Sequence, residues 1–396
     1  MADDKLGVLK KVFTPRTPIE DRKIFAGRIN QLSSLLELIN EPGAHGALYG
    51  ERGVGKTSVA NIARIILGVQ GTSVVKYSCN STDSFESLWH KVFLGVSLPY
   101  KVYSKTAGFR SDITPQKKEI TLAALFNGME YNADNILKSL EIIPKPFVII
   151  LDEFDRLGHE FDKRLFSDII KNLSDNMPEI IVIIVGVGDT VSSLIGEHAS
   201  IERNLKQIRL PIMTNDELNA IIENGLKELN MVMSPKVSKQ IVEFSCGFPH
   251  YTHLLAFNAC KSAILSKNNE VNEKHFNFAI RQSITQAQES LRQAYQKATL
   301  ATKQNIYKEV LWACSVAPTD ENGTFQAKDL ENPMSKILGY PVILNKFISH
   351  LGKFCTDERG NILVALGAPK RRRYKFNNPL MRAFLRLNMH AFGKSQ

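Results

Sequence analysis

The most informative stretch of this chain is Gly50-Glu51-Arg52-Gly53-Val54-Gly55-Lys56-Thr57. It fills every fixed position of the phosphate-binding pattern G-x-x-x-x-G-K-[ST]. Glycines let successive backbone N–H groups point inward at phosphate oxygens, a curvature that a Cβ would obstruct. An apolar run at 47–49 leads in, and a helical pattern at 58–66 leads out and offers its N-terminus to an anion. The pattern predicts a nucleoside triphosphate site, in which Lys56 reaches the β and γ phosphates and Thr57 ligates Mg²⁺. The residues expected to contact the nucleotide here are Gly50, Glu51, Arg52, Gly53, Val54, Gly55, Lys56, Thr57 and Ser58.

A second stretch, Phe147-Val148-Ile149-Ile150-Leu151-Asp152-Glu153-Phe154-Asp155, supports the same prediction. A continuous apolar run that ends in acidic residues is typical of a buried parallel strand with ligands at its carboxyl edge. We expect Asp152 to hold Mg²⁺, directly or through a water, and Glu153 to polarise the water that attacks the γ phosphate. The alternative is a core strand that ends in a solvated acidic turn.

Length and composition limit the number of domains and the class of protein. The chain has 396 residues, enough for two or three domains, and a formal net charge of +10. The longest apolar run, 180–188, is too short to cross a bilayer, and the acidic start of the chain lacks a signal-peptide core. We therefore expect a cytoplasmic protein with no membrane partner. Five scattered cysteines without a C-x-x-C pair are expected to be reduced side chains rather than a metal site.

The positive charge is concentrated at the C-terminal end. Residues 361–396 contain no acidic residue and eight basic ones. Such a cluster favours a surface for a polyanion, although it can also dock an acidic protein. The basic residues are Lys370, Arg371, Arg372, Arg373, Lys375, Arg382, Arg386 and Lys394.

The order of predicted elements divides the chain into modules. Strands and helices alternate up to a short strand at 207–210, which predicts an α/β core with a parallel sheet and helices on both faces. The pattern then becomes all-helical, with capping signals at Thr214, Ser234 and Asn272. The expected modules are an extended lead-in at 1–22, an ATPase core at 23–211, a helical lid at 212–298 and a third domain at 299–396.

The segment 100–119 is polar and lacks a clear period, so we expect a surface insertion there. In the third domain, helical stretches near 302–316, 332–338 and 341–354 precede a hairpin formed by 362–366 and 372–376. Three helices followed by a hairpin is the order of a winged helix, and the basic cluster would lie along the wing.

With these motifs, nearly the whole chain resembles a AAA+ ATPase of the branch that includes origin-recognition initiators and the STAND ATPases. Asp152-Glu153-Phe154-Asp155-Arg156-Leu157 is similar to the D-E-x-D-x-L form of initiators. Phe25-Ala26-Gly27-Arg28 is similar to the F-x-G-R box that lies against the adenine, which implicates Gly27 and Arg28. Gly247-Phe248-Pro249 is similar to the G-x-P motif of the STAND group, in which Pro249 would face the base, the alternative being a loop between two helices.

The resemblance implies three further site residues. Arg203 stands where the family places a finger that reaches a neighbouring subunit's γ phosphate, the alternative being a solvated surface arginine. Asp189 or Thr190 is the candidate for sensor 1, although the family usually has Asn or Thr there. His250 replaces the usual sensor 2 arginine, and either contacts the nucleotide weakly or packs the lid.

The leading hypothesis is therefore a homo-oligomeric switch that binds and hydrolyses ATP with Mg²⁺, assembles on double-stranded DNA, and recruits a separate effector protein. The rival is a STAND-like regulator that acts through protein contacts without nucleic acid. A helicase or unfoldase is a weaker third possibility, because no helicase motif or aromatic pore loop is present. The residues expected to contact DNA phosphates are Lys346, Lys353, Arg371, Arg372, Arg373 and Lys375.

Overall fold

The computed structural model describes residues 2–103, 115–188, 190–195, 203–300, 305–320, 322–368 and 371–392. Twelve strands in these ranges form the sheets. They are β1 His45–Gly50, β2 Ser73–Ser78, β3 Ser97–Tyr103, β4 Pro115–Thr121, β5 Phe147–Asp152, β6 Ile180–Val187, β7 Leu205–Arg209, β8 Val232–Met233, β9 Glu270–Val271, β10 Phe325–Gln326, β11 Leu363–Leu366 and β12 Arg373–Phe376.

The central sheet is parallel and has the strand order β2-β5-β6-β1-β7. Successive residues of β5 and β6 pack into two different hydrophobic clusters, one on each face of the sheet. Val148 and Ile150 belong to one cluster, whereas Ile149 and Leu151 belong to the other. Because side chains alternate along a strand, a strand covered on both faces must be apolar throughout. The predicted α/β core with helices on both faces is confirmed.

Helices of the core cover these two faces. They are Ile29–Glu37, Lys56–Val69, Phe85–Leu94, Leu122–Leu125, Ala133–Glu141, Lys163–Asn176 and Ser192–Ile195. β3 and β4 pair as an antiparallel hairpin beside this core. The segment expected to be an aperiodic insertion therefore contains strands on both sides of residues 104–114, which lie outside the described ranges.

The N-terminal segment differs from the extended lead-in expected for residues 1–22, because it begins with the helix Ala2–Val12. Pro15 and Pro18 interrupt regular structure only after this helix ends. Leu9, Val12 and Phe13 are buried, and Phe13 packs so closely on the lid that a Cβ on Gly225 would lie 2.2 Å from its ring. This apolar face stabilises the helix through tertiary packing rather than through its own length.

The lid consists of five helices in the described range 212–299. They are Asn215–Leu229, Pro235–Ser245, Pro249–Leu265, Glu273–Thr285 and Glu289–Thr299. The predicted caps are confirmed, since Thr214, Ser234 and Asn272 each accept a hydrogen bond from a first-turn backbone N–H.

The C-terminal module has a small antiparallel sheet in the order β10-β12-β11, covered by helices. The helix expected at 302–316 spans Tyr307–Val316, with 301–304 outside the described residues, and the one expected at 341–354 begins only at Ile348. The helix Met381–Phe392 was not predicted, and it packs this module on the lid, where Arg386 donates to the Glu243 carbonyl at 3.3 Å. The helices of the module are Tyr307–Val316, Glu331–Leu338, Ile348–Phe354 and Met381–Phe392. Within the described residues, no helix has both the length and the apolar character needed to cross a membrane.

Candidate nucleotide-binding site

The loop from Gly50 to Thr57 joins the end of β1 to the helix Lys56–Val69. Gly53 and Gly55 have φ values of +87° and +97°, a region that residues with a Cβ rarely adopt. Gly50 is required for a different reason, because a Cβ there would lie 2.3 Å from the Leu210 carbonyl oxygen. The loop therefore has the curvature of a phosphate cradle at the N-terminus of a helix.

The Lys56 ammonium is folded into this loop. Its Nζ donates to the carbonyl oxygens of Gly50 and Glu51 at 2.9 and 2.7 Å. Burial lowers the pKa of Lys56 to about 8, although Asp155 and Asp152 raise it. The loop thus holds a partly desolvated cation, which an anionic ligand would stabilise.

Asp152 ends β5 next to this helix, as the sequence pattern predicts. The Thr57 hydroxyl donates to Asp152 Oδ1 at 3.3 Å, and the carboxylate is almost completely buried. Asp152 Oδ2 has no hydrogen bond of good geometry, although Lys76 Nζ forms an ion pair with it at 2.9 Å. A hydroxyl beside a carboxylate is the oxygen donor set that Mg²⁺ uses in nucleotide sites, so the residues fit this ion.

Glu153 follows with a left-handed backbone, φ +55° and ψ +35°, which is uncommon for a residue with a side chain. Its carboxylate is half-exposed and forms an ion pair with Arg156 at 2.7 Å. Strain of this kind is concentrated at functional sites, where the surrounding structure maintains it. The arrangement holds Glu153 at the mouth of the site.

Asp155 connects two strands of the sheet. Its carboxylate accepts the Val187 N–H at 2.7 Å, at the carboxyl end of β6. The residue had no predicted role beyond its place in the motif, and this contact shows that it fixes the end of β6 beside β5. Asp189, the sensor 1 candidate, lies outside the described residues, whereas Thr190 lies within them.

Gly27 and Arg28 lie between the phosphate loop and the lid. Both have left-handed backbones, and Arg28 is 2% exposed. The Arg28 guanidinium donates to the carbonyl oxygens of Val54 and Pro211, and its backbone N–H donates to Glu217 Oε1 at 2.8 Å. This box therefore lies between the phosphate loop and the first lid helix.

These elements enclose a cleft of about 750 Å³. One wall is the segment 14–19, which sequence reasoning missed. Ile19 N donates to Ser58 Oγ at 3.1 Å, and His250 Nδ1 lies 2.7 Å from the Pro15 carbonyl oxygen. No local signal predicts these contacts, because they join residues that are distant in the sequence.

Two lid residues complete this end of the cleft. Pro249, at the start of the helix Pro249–Leu265, lies 3.8 Å from the position that a Cβ on Gly55 would take. His253 Nδ1 accepts the Thr14 N–H at 3.3 Å, and burial lowers the pKa of His253 to about 4. The ring is therefore neutral near pH 7 and its Nε2 has no hydrogen-bond partner. Burial also lowers the pKa of His250, so neither imidazole replaces the charge of an arginine.

The remaining predicted residues lie away from this cleft. Arg203 is exposed just before β7. In the C-terminal module, the Lys346 ammonium lies 5.3 Å from the centre of the Tyr340 ring, and Lys353 donates to the Tyr307 hydroxyl at 3.3 Å.

The three arginines of the basic hairpin are not equivalent. Arg373 forms an ion pair with Asp320 at 3.1 Å and donates to the Thr324 carbonyl at 3.0 Å. Arg371 and Arg372 are exposed, whereas Lys375 is half-buried. The guanidinium of Arg373 therefore has its partners within the C-terminal module.

The parallel sheet, the phosphate loop after β1 and the acidic end of β5 define a P-loop NTPase. The sequence pattern of the Novel STAND NTPase 1 family matches residues 16–318. The chain belongs to this family. The expected resemblance to AAA+ and STAND ATPases is confirmed, and the family supports a nucleotide-dependent switch.

Similar solved structures cover almost the whole chain. The Walker-type ATPase PABY2304 of Pyrococcus abyssi is 14% identical, with a TM-score of 0.50 over 94% of this chain and 99% of that one. The ORC1 protein of Aeropyrum pernix, solved in complex with DNA, is 15% identical, with a TM-score of 0.49 over 97% of each chain. The RuvB Holliday junction branch migration motor of Thermotoga maritima is 15% identical, with a TM-score of 0.46 over 90% of this chain and 94% of that one. No curated protein matches.

Proposed function

We propose that this protein is a switch that binds ATP with Mg²⁺ and hydrolyses it to ADP and phosphate. The observation that carries the proposal is the convergence of Lys56, Thr57, Asp152 and Glu153 at the carboxyl ends of β1 and β5. In this arrangement Lys56 exchanges its loop carbonyl partners for phosphate oxygens. Thr57 and Asp152 would hold Mg²⁺, which when bound would neutralise charge on the phosphates.

Glu153 is the residue proposed to orient and deprotonate the attacking water. Its half-exposed carboxylate lines the same cleft as Lys56 and Thr57. Its ion pair with Arg156 must break or shift before the carboxylate can act as a base. This contact lowers basal turnover to a small extent, which is the direction that suits a switch that persists in one nucleotide state.

The experiment that tests the proposal separates binding from hydrolysis. Lys56→Ala should abolish ATP binding, because it removes the cation that the loop holds. Glu153→Gln should retain bound ATP and stop phosphate release. Lys171→Ala, an exposed lysine on a core helix, is the control and should behave as wild type. Unchanged turnover in Glu153→Gln would show that another residue is the base.

We extend the proposal to assembly through Arg203. This arginine is exposed at the surface before β7, where it can reach a neighbouring subunit. In such an oligomer, hydrolysis would depend on the arginine supplied in trans. Arg203→Ala should reduce hydrolysis with little change in ATP affinity, and mixing it with Lys56→Ala protein should restore part of the activity. Wild-type turnover by a monomer would contradict the trans finger.

For DNA, we propose that the C-terminal module acts as a winged helix. The β10-β12-β11 sheet and the exposed Arg371 and Arg372 support this function. An oligomer bound to DNA in this way would offer a surface to which a separate effector protein binds. Contacts with the phosphate backbone would position the protein without reading the sequence.

One observation favours the alternative, a regulator that acts through protein contacts. The C-terminal module lies against the phosphate loop, since Leu380 Cδ2 is 3.0 Å from the position that a Cβ on Gly53 would take. Arg209 at the end of β7 also donates to Asn322 Oδ1 at 3.0 Å. A module docked here can respond to the nucleotide without nucleic acid. Hydrolysis measured with and without duplex DNA distinguishes the two functions.

A further inference from the structure

Lys76 occupies a position next to the metal-binding carboxylate that the proposed function does not use. It lies in β2, the strand that pairs with β5, and its Nζ is 2.9 Å from Asp152 Oδ2. The same ammonium donates to Asn61 Oδ1 at 2.6 Å. Asn61 belongs to the helix Lys56–Val69 that follows the phosphate loop. One lysine thus connects β2, β5 and the nucleotide-binding helix.

The surroundings of Asp152 make this contact strong. The side chains of Asp152 and Lys76 are 3% and 14% exposed. Asp152 Oδ1 accepts the Thr57 hydroxyl at 3.3 Å and the Glu153 N–H at 2.9 Å, and Lys76 is in direct ionic contact with the second oxygen. A buried carboxylate without a nearby cation is costly, and its attraction for any other cation is correspondingly large.

We propose that Lys76 neutralises and orients Asp152, so that the site takes Mg²⁺ only together with a nucleotide. The inference rests on the proposed function of Asp152. Without nucleotide, Mg²⁺ meets a carboxylate whose charge is already cancelled and a hydroxyl, which together bind it weakly. With nucleotide, phosphate oxygens supply the missing negative charge. Lys76 is therefore a positioning residue that suppresses binding of the free ion and keeps Asp152 Oδ1 directed at Thr57.

The test is a Mg²⁺ titration of the nucleotide-free protein, in which binding is measured by calorimetry and stabilisation by thermal unfolding. Wild type should show little stabilisation and no resolved binding at millimolar Mg²⁺. Lys76→Met should bind Mg²⁺ at least roughly tenfold more tightly and gain melting temperature on its addition, because the buried carboxylate has lost the cation in direct contact with it and attracts the ion. Lys76→Arg should restore the wild-type response.

Two controls identify the source of any change. Lys91→Met breaks a comparable ion pair, that of Lys91 with Asp83, outside the site, and should respond to Mg²⁺ as wild type does. Adding Asp152→Asn to Lys76→Met should remove the gained Mg²⁺ binding. A gain that persists in this double variant would place the ion elsewhere and overturn the inference.

A second variant covers the case in which Lys76→Met does not fold. Asn61→Leu keeps both charges and removes the other partner of the ammonium, so it should show a smaller gain of Mg²⁺ binding in the same direction. A wild-type Mg²⁺ response in the folded variants overturns the inference and leaves Lys76 as a structural ion pair. Because no nucleotide is present, this result is independent of whether the wild type binds or hydrolyses ATP, which the Lys56 and Glu153 variants decide.

Discussion

Arg28 and Glu217 connect the nucleotide site to the lid. Glu217 Oε1 accepts the Arg28 N–H at 2.8 Å, and Glu217 Oε2 lies 3.9 Å from the Arg28 guanidinium. Oε2 also accepts the Thr214 N–H at 2.9 Å, within the capping box of the first lid helix. Burial alone would raise the pKa of Glu217, but the hydrogen bonds from the Arg28 and Thr214 N–H groups lower it below its usual value. A change at the nucleotide site can therefore reach the lid through one carboxylate.

Glu217→Ala should weaken nucleotide binding and destabilise the fold. The substitution leaves the buried Arg28 without its ionic partner and removes a helix cap, which together cost about 1–3 kcal/mol. Denaturant unfolding and nucleotide titration measure the two effects. Glu223→Ala, an exposed glutamate on the same helix, is the control. Equal results for the two variants would show that the contact with Arg28 contributes nothing.

Arg156→Ala should raise basal hydrolysis, by roughly fivefold at most, since the exposed ion pair with Glu153 is weak. The expected increase follows from releasing the carboxylate that is proposed to act as the base. Single-turnover phosphate release measures it. A decrease would indicate instead that Arg156 places Glu153 in its working position.

ATP affinity should fall as the pH rises above about 8, where the pKa of Lys56 lies in the free protein. Bound phosphates stabilise the charged ammonium, so the complex keeps its proton while the free protein loses it. Below the pKa of the free lysine no proton is taken up on binding, and above it affinity drops by up to about tenfold per pH unit. Titrations between pH 7 and 9.5 in two buffers test this prediction. Constant affinity across this range would contradict it.

Acid should destabilise the fold through His45. This residue is completely buried, and burial lowers its pKa to about 4 from the usual 6.5. Its Nδ1 accepts the Val182 N–H at 3.0 Å, which requires the neutral ring. Below pH 6.5 the unfolded chain binds a proton that the folded one does not, so the free energy of unfolding falls towards pH 4, by up to about 3 kcal/mol.

Denaturant unfolding of wild type and His45→Gln at pH 7 and pH 5 measures this contribution. The variant should be less stable at pH 7 and should lose less stability on acidification. An equal loss in both proteins would assign the acid sensitivity to other groups, such as His253.

The α/β core was predictable because its signals are local. The apolar run 147–151 and the glycines of the phosphate loop indicate their structure through residue types that lie within a few positions of one another. The capping residue Thr214 is predictable for the same reason. These short-range patterns explain why the core sheet and the starts of three of the five lid helices were identified correctly.

The parts that were missed depend on distant contacts. The helix Ala2–Val12 is stabilised by packing against the lid, which no pattern within 1–22 reveals. Lys76 meets Asp152 only because β2 pairs with β5, and the wall at 14–19 exists only because the lid folds over it. Arg373 belongs to the same run of basic residues as Arg371, yet its ion-pair partner Asp320 lies far away in the sequence. Tertiary pairing therefore decides the role of each of these residues.

The exposed pair Arg371 and Arg372 provides the sharpest test of DNA binding. Both follow the turn after β11, where a wing can lie along a DNA groove. Arg373, in contrast, forms an ion pair with Asp320. Replacing both with Ala should weaken binding similarly on all duplex sequences, because phosphate contacts carry no sequence information. The slope of log affinity against log salt should fall by roughly 0.9 for each phosphate that the variant no longer neutralises.

A double variant at Arg164 and Lys171 removes the same charge from the exposed face of a core helix and controls for net charge. It should keep the wild-type slope, and ATP binding should be unchanged in both double variants. Affinity and salt slope measured by fluorescence anisotropy on two unrelated duplexes decide the outcome. If the Arg371 and Arg372 variant binds DNA as wild type does, the basic hairpin is a protein-docking face. Regulation through protein contacts, without nucleic acid, is then the better supported function of this switch.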